Sequence, residues 1–261
     1  MELPLVVGVD GSESSLLAVD WAVDEAARHG LSLRLVHASR KSRALPQHRS
    51  SRRRGHGLQA RPEAFALVTD ARGRGEVAGL LLGSVSLTVA ARAMCPVIVV
   101  RGEERNLRGS VGRVVVGVGD ATGGTGAVWF AAREAEARAC ALTAVRAWRS
   151  PVHEPDSPPA ASVPGDPRLA ADAAVAPEEQ VSASLDDALR EVVREHPQVD
   201  VSRRAVEGPA HRVLLEASAE ADLIVVGALR LHGHFGLQLG SAAHALLHHS
   251  ACPVAVVPHR V

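Results

Sequence analysis

Short apolar runs alternate with longer alanine-rich or amphipathic stretches along the C-terminal half of the chain. RVVVGV, ALTAVRAW, DLIVVG and PVAVV are apolar and partly β-branched, and they predict buried strands. GAVWFAAREAEARAC and PEEQVSASLDDALREVVREH predict helices, the second with a proline at its start and acids in its first turn. Strands that are nearly all apolar and that alternate with helices predict an α/β fold with a parallel sheet covered on both faces.

The same pattern occurs twice, at two different offsets. LVVGVD (Leu5 to Asp10) matches VVVGVG (Val114 to Gly119) 109 residues later, whereas Gly83 to Val100 matches Gly240 to Val257 157 residues later. The first copy therefore lacks 48 residues that the second copy has, between residues 38 and about 61. We expect it to lack a helix, a strand and a further helix. It should then expose an apolar face, or cover that face with the second copy or a partner.

The extents of the two copies predict a first domain at residues 1–102, a polar linker at 103–112 and a second domain at 113–261. A segment at 39–60 carries seven Lys or Arg and no acid, and we interpret it as a solvated connector that fills the deletion. Seven prolines between Pro151 and Pro177 predict a loop in the second domain.

The strand end GVDGS and the two copies of GS(x)10CPVxVV resemble the universal stress protein family, as a tandem member that covers nearly the whole chain. The resemblance implies two Rossmann-like domains of the adenine nucleotide alpha hydrolase type, with strand order 3-2-1-4-5 in each and the first domain truncated. It also implies pairing along the fifth strand, either in a homodimer or within one chain. The intrachain pair would join Val97–Val100 to Val254–Val257.

The ATP-binding branch of this family carries Gly, two residues, Gly, nine residues and Gly-Ser/Thr after strand 4. The resemblance therefore implies ATP, with or without Mg²⁺, in one or both domains. In this chain Asp70 replaces the first glycine of the first copy, Arg230 replaces the second glycine of the second copy, and Gly119 stands at the strand-1 aspartate position. The implied site residues are Asp10, Ala38, Gly73, Gly83, Ser84, Val85 and Ser86 in the first domain, and Ala147, Gly227, Gly240 and Ser241 in the second.

The loop ARGRGEVAGLLLGSVS has the chemistry of a phosphate cradle. A helix N-terminus offers unpaired N–H groups, glycine allows close approach, and Arg72 and Arg74 could add positive charge. The Asp70 carboxylate opposes this because it would repel phosphate. The alternative is a plain turn in which Ser84 caps the helix and the arginines are solvated. Two functions stay open: an ATP-binding stress-response regulator, or a member that binds no nucleotide and acts through contacts with unknown protein partners.

Composition and short motifs argue against several other classes of function. The net charge is zero, the pI is about 7.3 and there is no Tyr, which argues against a nucleic-acid-binding protein. No apolar run is long enough to span a bilayer, and three cysteines without a CxxC pair favour a cytoplasmic protein. We interpret Cys95 and Cys252 as small buried hydrophobic residues. No nucleophile or general base stands out, so we expect no enzyme activity beyond slow incidental ATP hydrolysis. His244 and His248 lie four residues apart without further ligands, and we expect no metal site.

Overall fold

The computed structural model describes residues 2–37, 64–71, 84–119, 125–149, 177–228 and 239–258. The predicted connector at 39–60 and most of the proline-rich loop lie outside these residues. The described residues form nine strands, in chain order β1 to β9: Leu5–Val9, Leu33–His37, Ala66–Asp70, Val97–Val100, Arg113–Gly117, Ala141–Trp148, Val201–Glu207, Leu223–Ala228 and Val254–Pro258. Seven helices lie in the same described ranges, α1 to α7: Glu13–His29, Ser84–Arg92, Glu104–Leu107, Thr125–Ala137, Pro177–Glu195, Ala210–Ser218 and Ser241–His249.

The second half of the chain forms the complete predicted unit. Its strands lie in the order β7-β6-β5-β8-β9, all parallel, which is the predicted order 3-2-1-4-5. Gly117 allows close packing of α6 on β5, because a Cβ there would lie 2.9 Å from Leu214 Cδ1. The predicted α/β class and strand order are therefore confirmed.

The first half is shorter, as the offset between the repeats predicts. Within the described residues its strands lie in the order β2-β1-β3-β4, so β2 forms one edge of the sheet. Gly8 is the equivalent of Gly117, but a Cβ there would meet only the Val68 carbonyl, at 3.9 Å. The glycine is present in the first half, and no described helix packs on it.

In the part of the chain that the structure describes, the two halves share one sheet of nine strands. β4 pairs with β9 in antiparallel fashion, with Val97 opposite Val256, Ile98 opposite Ala255 and Val99 opposite Val254. This is the predicted intrachain pairing of the two fifth strands. Two cores follow from it, one on each side of the sheet: α1, α4 and α5 cover one side, and α2, α6 and α7 cover the other.

The linker is packed against the second half and contains the short helix α3. Asn106 is buried and its side chain donates to the Ala221 carbonyl at 2.6 Å. The buried Asp222 carboxylate accepts the backbone N–H groups of residues 111, 112 and 113 at 2.9, 2.6 and 3.1 Å. These bonds fix the chain where it enters β5.

The first half leaves apolar side chains exposed where the second half buries their equivalents. Val36 is 47% exposed, but Val145, the same residue type 109 positions later, is 2% exposed. Leu35 is 57% exposed, and its counterpart Ala144 is fully buried. In the second half α5 and α6 cover these positions. Among the described residues, Leu35 and Val36 are thus exposed, one on each face of β2, and cover of these positions by a partner stays a prediction. Among the described residues, no helix is both long enough and apolar enough to cross a bilayer.

Candidate functional site

Ligands of open parallel sheets bind beyond the carboxyl ends of the strands, where the strand order reverses. In the first half that point lies between β1 and β3, and in the second half it lies between β5 and β8. Among the described site residues, Asp10 directly follows β1 and Gly227 lies near the carboxyl end of β8, beside these two points.

Two neighbouring serine hydroxyls hold two carboxylates at the switch point of the first half. Asp10 Oδ1 accepts from the Ser12 backbone N–H at 2.9 Å and from its hydroxyl at 2.7 Å. The Ser12 and Ser14 hydroxyl oxygens lie 3.1 Å apart, and Ser14 donates to Asp70 Oδ2 at 2.7 Å. The Asp70 carboxylate therefore faces the start of α1, at the place where the motif has a glycine.

The remaining predicted residues of the first half are placed only in part. The buried Ser86 hydroxyl donates to the backbone carbonyl of Asp70 at 2.7 Å, so it ties α2 to the end of β3. Ser84 and Val85 form the start of α2, as predicted from the Gly83-Ser84 pair. Ala38, Gly73 and Gly83, together with Arg72 and Arg74, lie outside the described residues.

The second half presents different chemistry at its switch point. Gly227 lies near the carboxyl end of β8, and Gly240 is the N-cap of α7, which begins at Ser241. Gly240 has no side chain to bond the first-turn N–H groups, and a Cβ at this position would meet nothing within 4 Å. A helix N-terminus with these properties favours an anion.

A cation lies near the carboxyl end of β6, the strand next to β5. Arg146 Nη1, near the end of β6, donates to the Gly119 carbonyl at 3.2 Å and to the Ser184 hydroxyl at 2.8 Å. Ala147 follows it in β6, opposite Val206 of β7. Arg230 and Asp120 lie outside the described residues. Among the residues described, Arg146 thus lies near the end of β6 in the second half, whereas Asp10 and Asp70 lie at the switch point of the first half.

A buried ionic cluster joins α1 to α4, and the sequence analysis missed it. The cluster consists of Glu25, His29, Glu134 and Arg138. Both glutamate side chains are fully buried, and those of His29 and Arg138 are about 5% and 6% exposed. The offset of 109 could have revealed it, because it relates Glu25 to Glu134 and His29 to Arg138.

Burial and charge shift the pKa values in this cluster. Burial would raise the pKa of Glu25, but the Glu134 carboxyl, His29 and Arg138 hold it well below its usual range. Burial and the adjacent Glu25 raise the pKa of Glu134 to about 7. Burial opposes the charge of His29, but Glu134 and Glu25 outweigh it and raise the pKa of His29 to about 9.

Two smaller expectations concern histidines and cysteines. The His244 and His248 rings lie 4.6 Å apart on α7, and no described Asp, Glu or Cys joins them in a group with metal-ligand spacing. Cys95 and Cys252 are buried as predicted, and burial raises the pKa of Cys252 to about 12.

The chain is similar in sequence to proteins of one family along most of its length. The model of the universal stress protein family matches residues 3–66, 58–101 and 110–258, so the first half matches in two pieces and the second in one. Universal stress protein Rv2005c of Mycobacterium tuberculosis (strain ATCC 25618 / H37Rv) is 29% identical over 295 residues, covering 97% of this chain and 96% of that protein. A universal stress protein of Mycolicibacterium smegmatis is 27% identical over 301 residues, covering 99% of this chain and 98% of that protein.

The fold is shared with a solved structure. A universal stress protein from Archaeoglobus fulgidus DSM 4304 matches 98% of this chain and 98% of its own with a TM-score of 0.57. The sequence identity of that pair is 16%, so the likeness shows the architecture alone.

Proposed function

Because the chain belongs to the universal stress protein family, we propose that it binds ATP in its second half and acts as a nucleotide-responsive regulator of a stress response. The observation that carries this proposal is the N-terminus of α7 behind Gly240-Ser241, with no capping side chain on Gly240. The helix follows β8 along the chain, and β8 pairs with β5 at the point where the strand order of a complete five-stranded unit reverses.

The charges near the two switch points favour the second half over the first as the ATP site. The phosphates of ATP would meet the α7 N–H groups, with Arg146 held nearby by Gly119 and Ser184. In the first half they would meet the carboxylates of Asp10 and Asp70, which the two serines hold across the switch point. Like charge and desolvation make that half the poorer site.

The proposed role is binding rather than catalysis. The described side chains assigned to the second-half site include Arg146, Ser184 and Ser241. Among the described residues, neither of the two serine hydroxyls is hydrogen-bonded to a histidine or carboxylate that could serve as its general base. ATP bound there would be hydrolysed slowly, and the bound nucleotide would act by changing which partner surface the protein presents.

The second candidate is a member that binds no nucleotide and acts through protein contacts. The exposed Leu35 and Val36 on the edge strand favour it, because apolar side chains there can pack on a partner. The replacement of motif residues by Asp70, Gly119 and Arg230 favours it as well.

Calorimetric titration with ATP separates these candidates. The intact protein should bind one ATP, Gly240→Val should lose at least about tenfold in affinity, and Gly83→Val should bind unchanged. Gly240→Val is well suited because Gly240 has φ −61° and open space at its Cβ, so the fold can accept the side chain. Loss of binding in Gly83→Val alone would move the site to the first half. No heat with any form would favour the second candidate.

A further inference from the structure

Three buried donor atoms converge where α1 and α4 meet. They are Glu25 Oε1, His29 Nε2 and Glu134 Oε1, and none makes a hydrogen bond of good geometry within the described structure. All three lie within 4.8 Å of one another. Both glutamate side chains are fully buried, so water does not solvate these oxygens from outside the protein.

The other oxygen of each glutamate is bound by arginine. Arg138 Nη2 lies 2.6 Å from Glu25 Oε2 and 3.4 Å from Glu134 Oε2. Arg28 Nη1 adds a contact of 3.0 Å to the same Oε2 of Glu25. The arginines thus fix both carboxylates with their Oε1 atoms directed towards His29. Groups that hold the non-ligating oxygen of a carboxylate in this way orient the ligands in metal sites.

The spacing of the three atoms fits a coordination sphere. His29 Nε2 lies 3.1 Å from Glu134 Oε1 and 3.6 Å from Glu25 Oε1. Tetrahedral ligands with bonds of about 2.0–2.1 Å stand roughly 3.3 Å apart. Glu25 and His29 are separated by one helical turn of α1, which places both on the same face.

We propose that Glu25, His29 and Glu134 bind one divalent transition-metal ion, with Zn²⁺ as the best match, and that this ion connects the two halves of the chain. One imidazole nitrogen and two carboxylate oxygens are ligands of Zn²⁺, whereas Mg²⁺ and Ca²⁺ prefer oxygen alone. A water molecule would complete four-coordination. Two ligands come from α1 of the truncated half and one from α4 of the complete half.

A proton on His29 Nε2 is the competing occupant of the same point. The two arginines already balance the two carboxylates, so the ion would have to be held by its three direct bonds. A buried ion-pair network without metal would show the same residues and no stoichiometric zinc.

Titration of the chelator-treated full-length protein with zinc chloride distinguishes these accounts, with magnesium chloride as the ion control. We expect one equivalent of Zn²⁺, a rise in melting temperature with Zn²⁺ and neither effect with Mg²⁺. Glu134→Gln should weaken Zn²⁺ binding at least about tenfold. The control is the double variant His244→Ala, His248→Ala, which removes two histidines at i, i+4 spacing on α7 and should keep the high-affinity equivalent. Loss of zinc in that control, or no stoichiometric zinc in the intact protein, would overturn the proposal.

A second experiment looks for a new absorption band. Its result therefore cannot be explained by a variant that simply loses stability. His29→Cys places a thiolate at the same point, and bound Co²⁺ should then show a thiolate-to-cobalt charge-transfer band. The variant is made with Cys140→Ser, because Cys140 is the one cysteine that is not buried. The Cys140→Ser protein alone should show no such band. A spectrum without the band in the folded His29→Cys variant contradicts the proposed ligand set.

Discussion

At the residue scale, Gly30 and Ala139 occupy the same position in the two halves but have different side chains. Gly30 is the C-cap of α1 with φ 65°, and Ala139 follows α4 with φ 49°. Only glycine adopts this left-handed conformation without strain, and the conformation costs alanine roughly 1–2 kcal/mol. The second half therefore retains a strained residue that the first half lacks.

Ala139→Gly should raise the free energy of unfolding by about 1 kcal/mol, because relief of strain exceeds the added flexibility of the unfolded chain. Gly30→Ala should lower it by a similar amount, since a Cβ at Gly30 has open space and meets only the unfavourable φ. Urea unfolding of both variants measures this. A loss of stability in Ala139→Gly would contradict the assigned backbone conformation.

Cysteine reactivity should follow burial. The pKa of Cys252 is raised to about 12 by burial, and Cys95 is also buried, so neither forms accessible thiolate in the native state. A thiol-specific reagent should modify at most Cys140 in the folded protein and all three cysteines after unfolding. Cys140→Ser should then leave the native protein unreactive. Modification of two or more thiols without unfolding would show that the cores open.

The candidate nucleotide site was predicted only in part from single residues. The motif placed Ser84, Gly240 and Ser241 at helix starts, and the structure has both helices there. The motif could not show that the Ser86 hydroxyl bonds to the Asp70 carbonyl, or that Ser14 holds the Asp70 carboxylate. Those bonds depend on how α1, α2 and β3 meet in three dimensions.

At the element scale, the exposed strand β2 and the buried strand β6 allow the same substitution to be compared at equivalent positions. Val36 and Val145 are equivalent residues, but one is 47% exposed and the other 2%. Val145→Ala should cost about 2 kcal/mol of unfolding free energy, through lost burial and a cavity. Val36→Ala should cost less than about 0.5 kcal/mol. Urea unfolding compares the two, and equal losses would mean that another surface covers β2 in solution.

Elements with a strong apolar pattern could be predicted from the sequence. Elements stabilised by contacts with residues far away in the chain could not. The strands and the 48-residue deletion follow from repeated runs such as RVVVGV and CPVAVV. The short helix α3 in the linker has no such pattern. It forms where Asn106 bonds to the Ala221 carbonyl, 115 positions away, and local sequence cannot show such a contact.

At the scale of the whole molecule, one sheet and two cores cross the boundary between the repeats. β4 and β9 pair directly, and Arg101 donates to the Ser250 carbonyl at 3.1 Å. The cluster of Glu25 and Glu134 lies on the same side of the sheet as α1 and α4. The sequence resemblance predicted the strand pairing but could not predict how much core the halves share.

Because of this shared core, the two halves should unfold together. Scanning calorimetry should show one transition whose calorimetric and van't Hoff enthalpies agree. Two separate transitions, with the first half melting at lower temperature, would show that the halves are independent.

The most direct test of the account is hydrogen–deuterium exchange of the intact protein with and without saturating ATP. We predict slower exchange at the start of α7, around Ser241, and at the end of β5, around Val118 and Gly119, because the nucleotide would lie between them. Residues 70–86 should exchange equally in both samples. Protection at residues 70–86 alone, or no protection anywhere in the chain, would contradict the proposal that the second half is the nucleotide site.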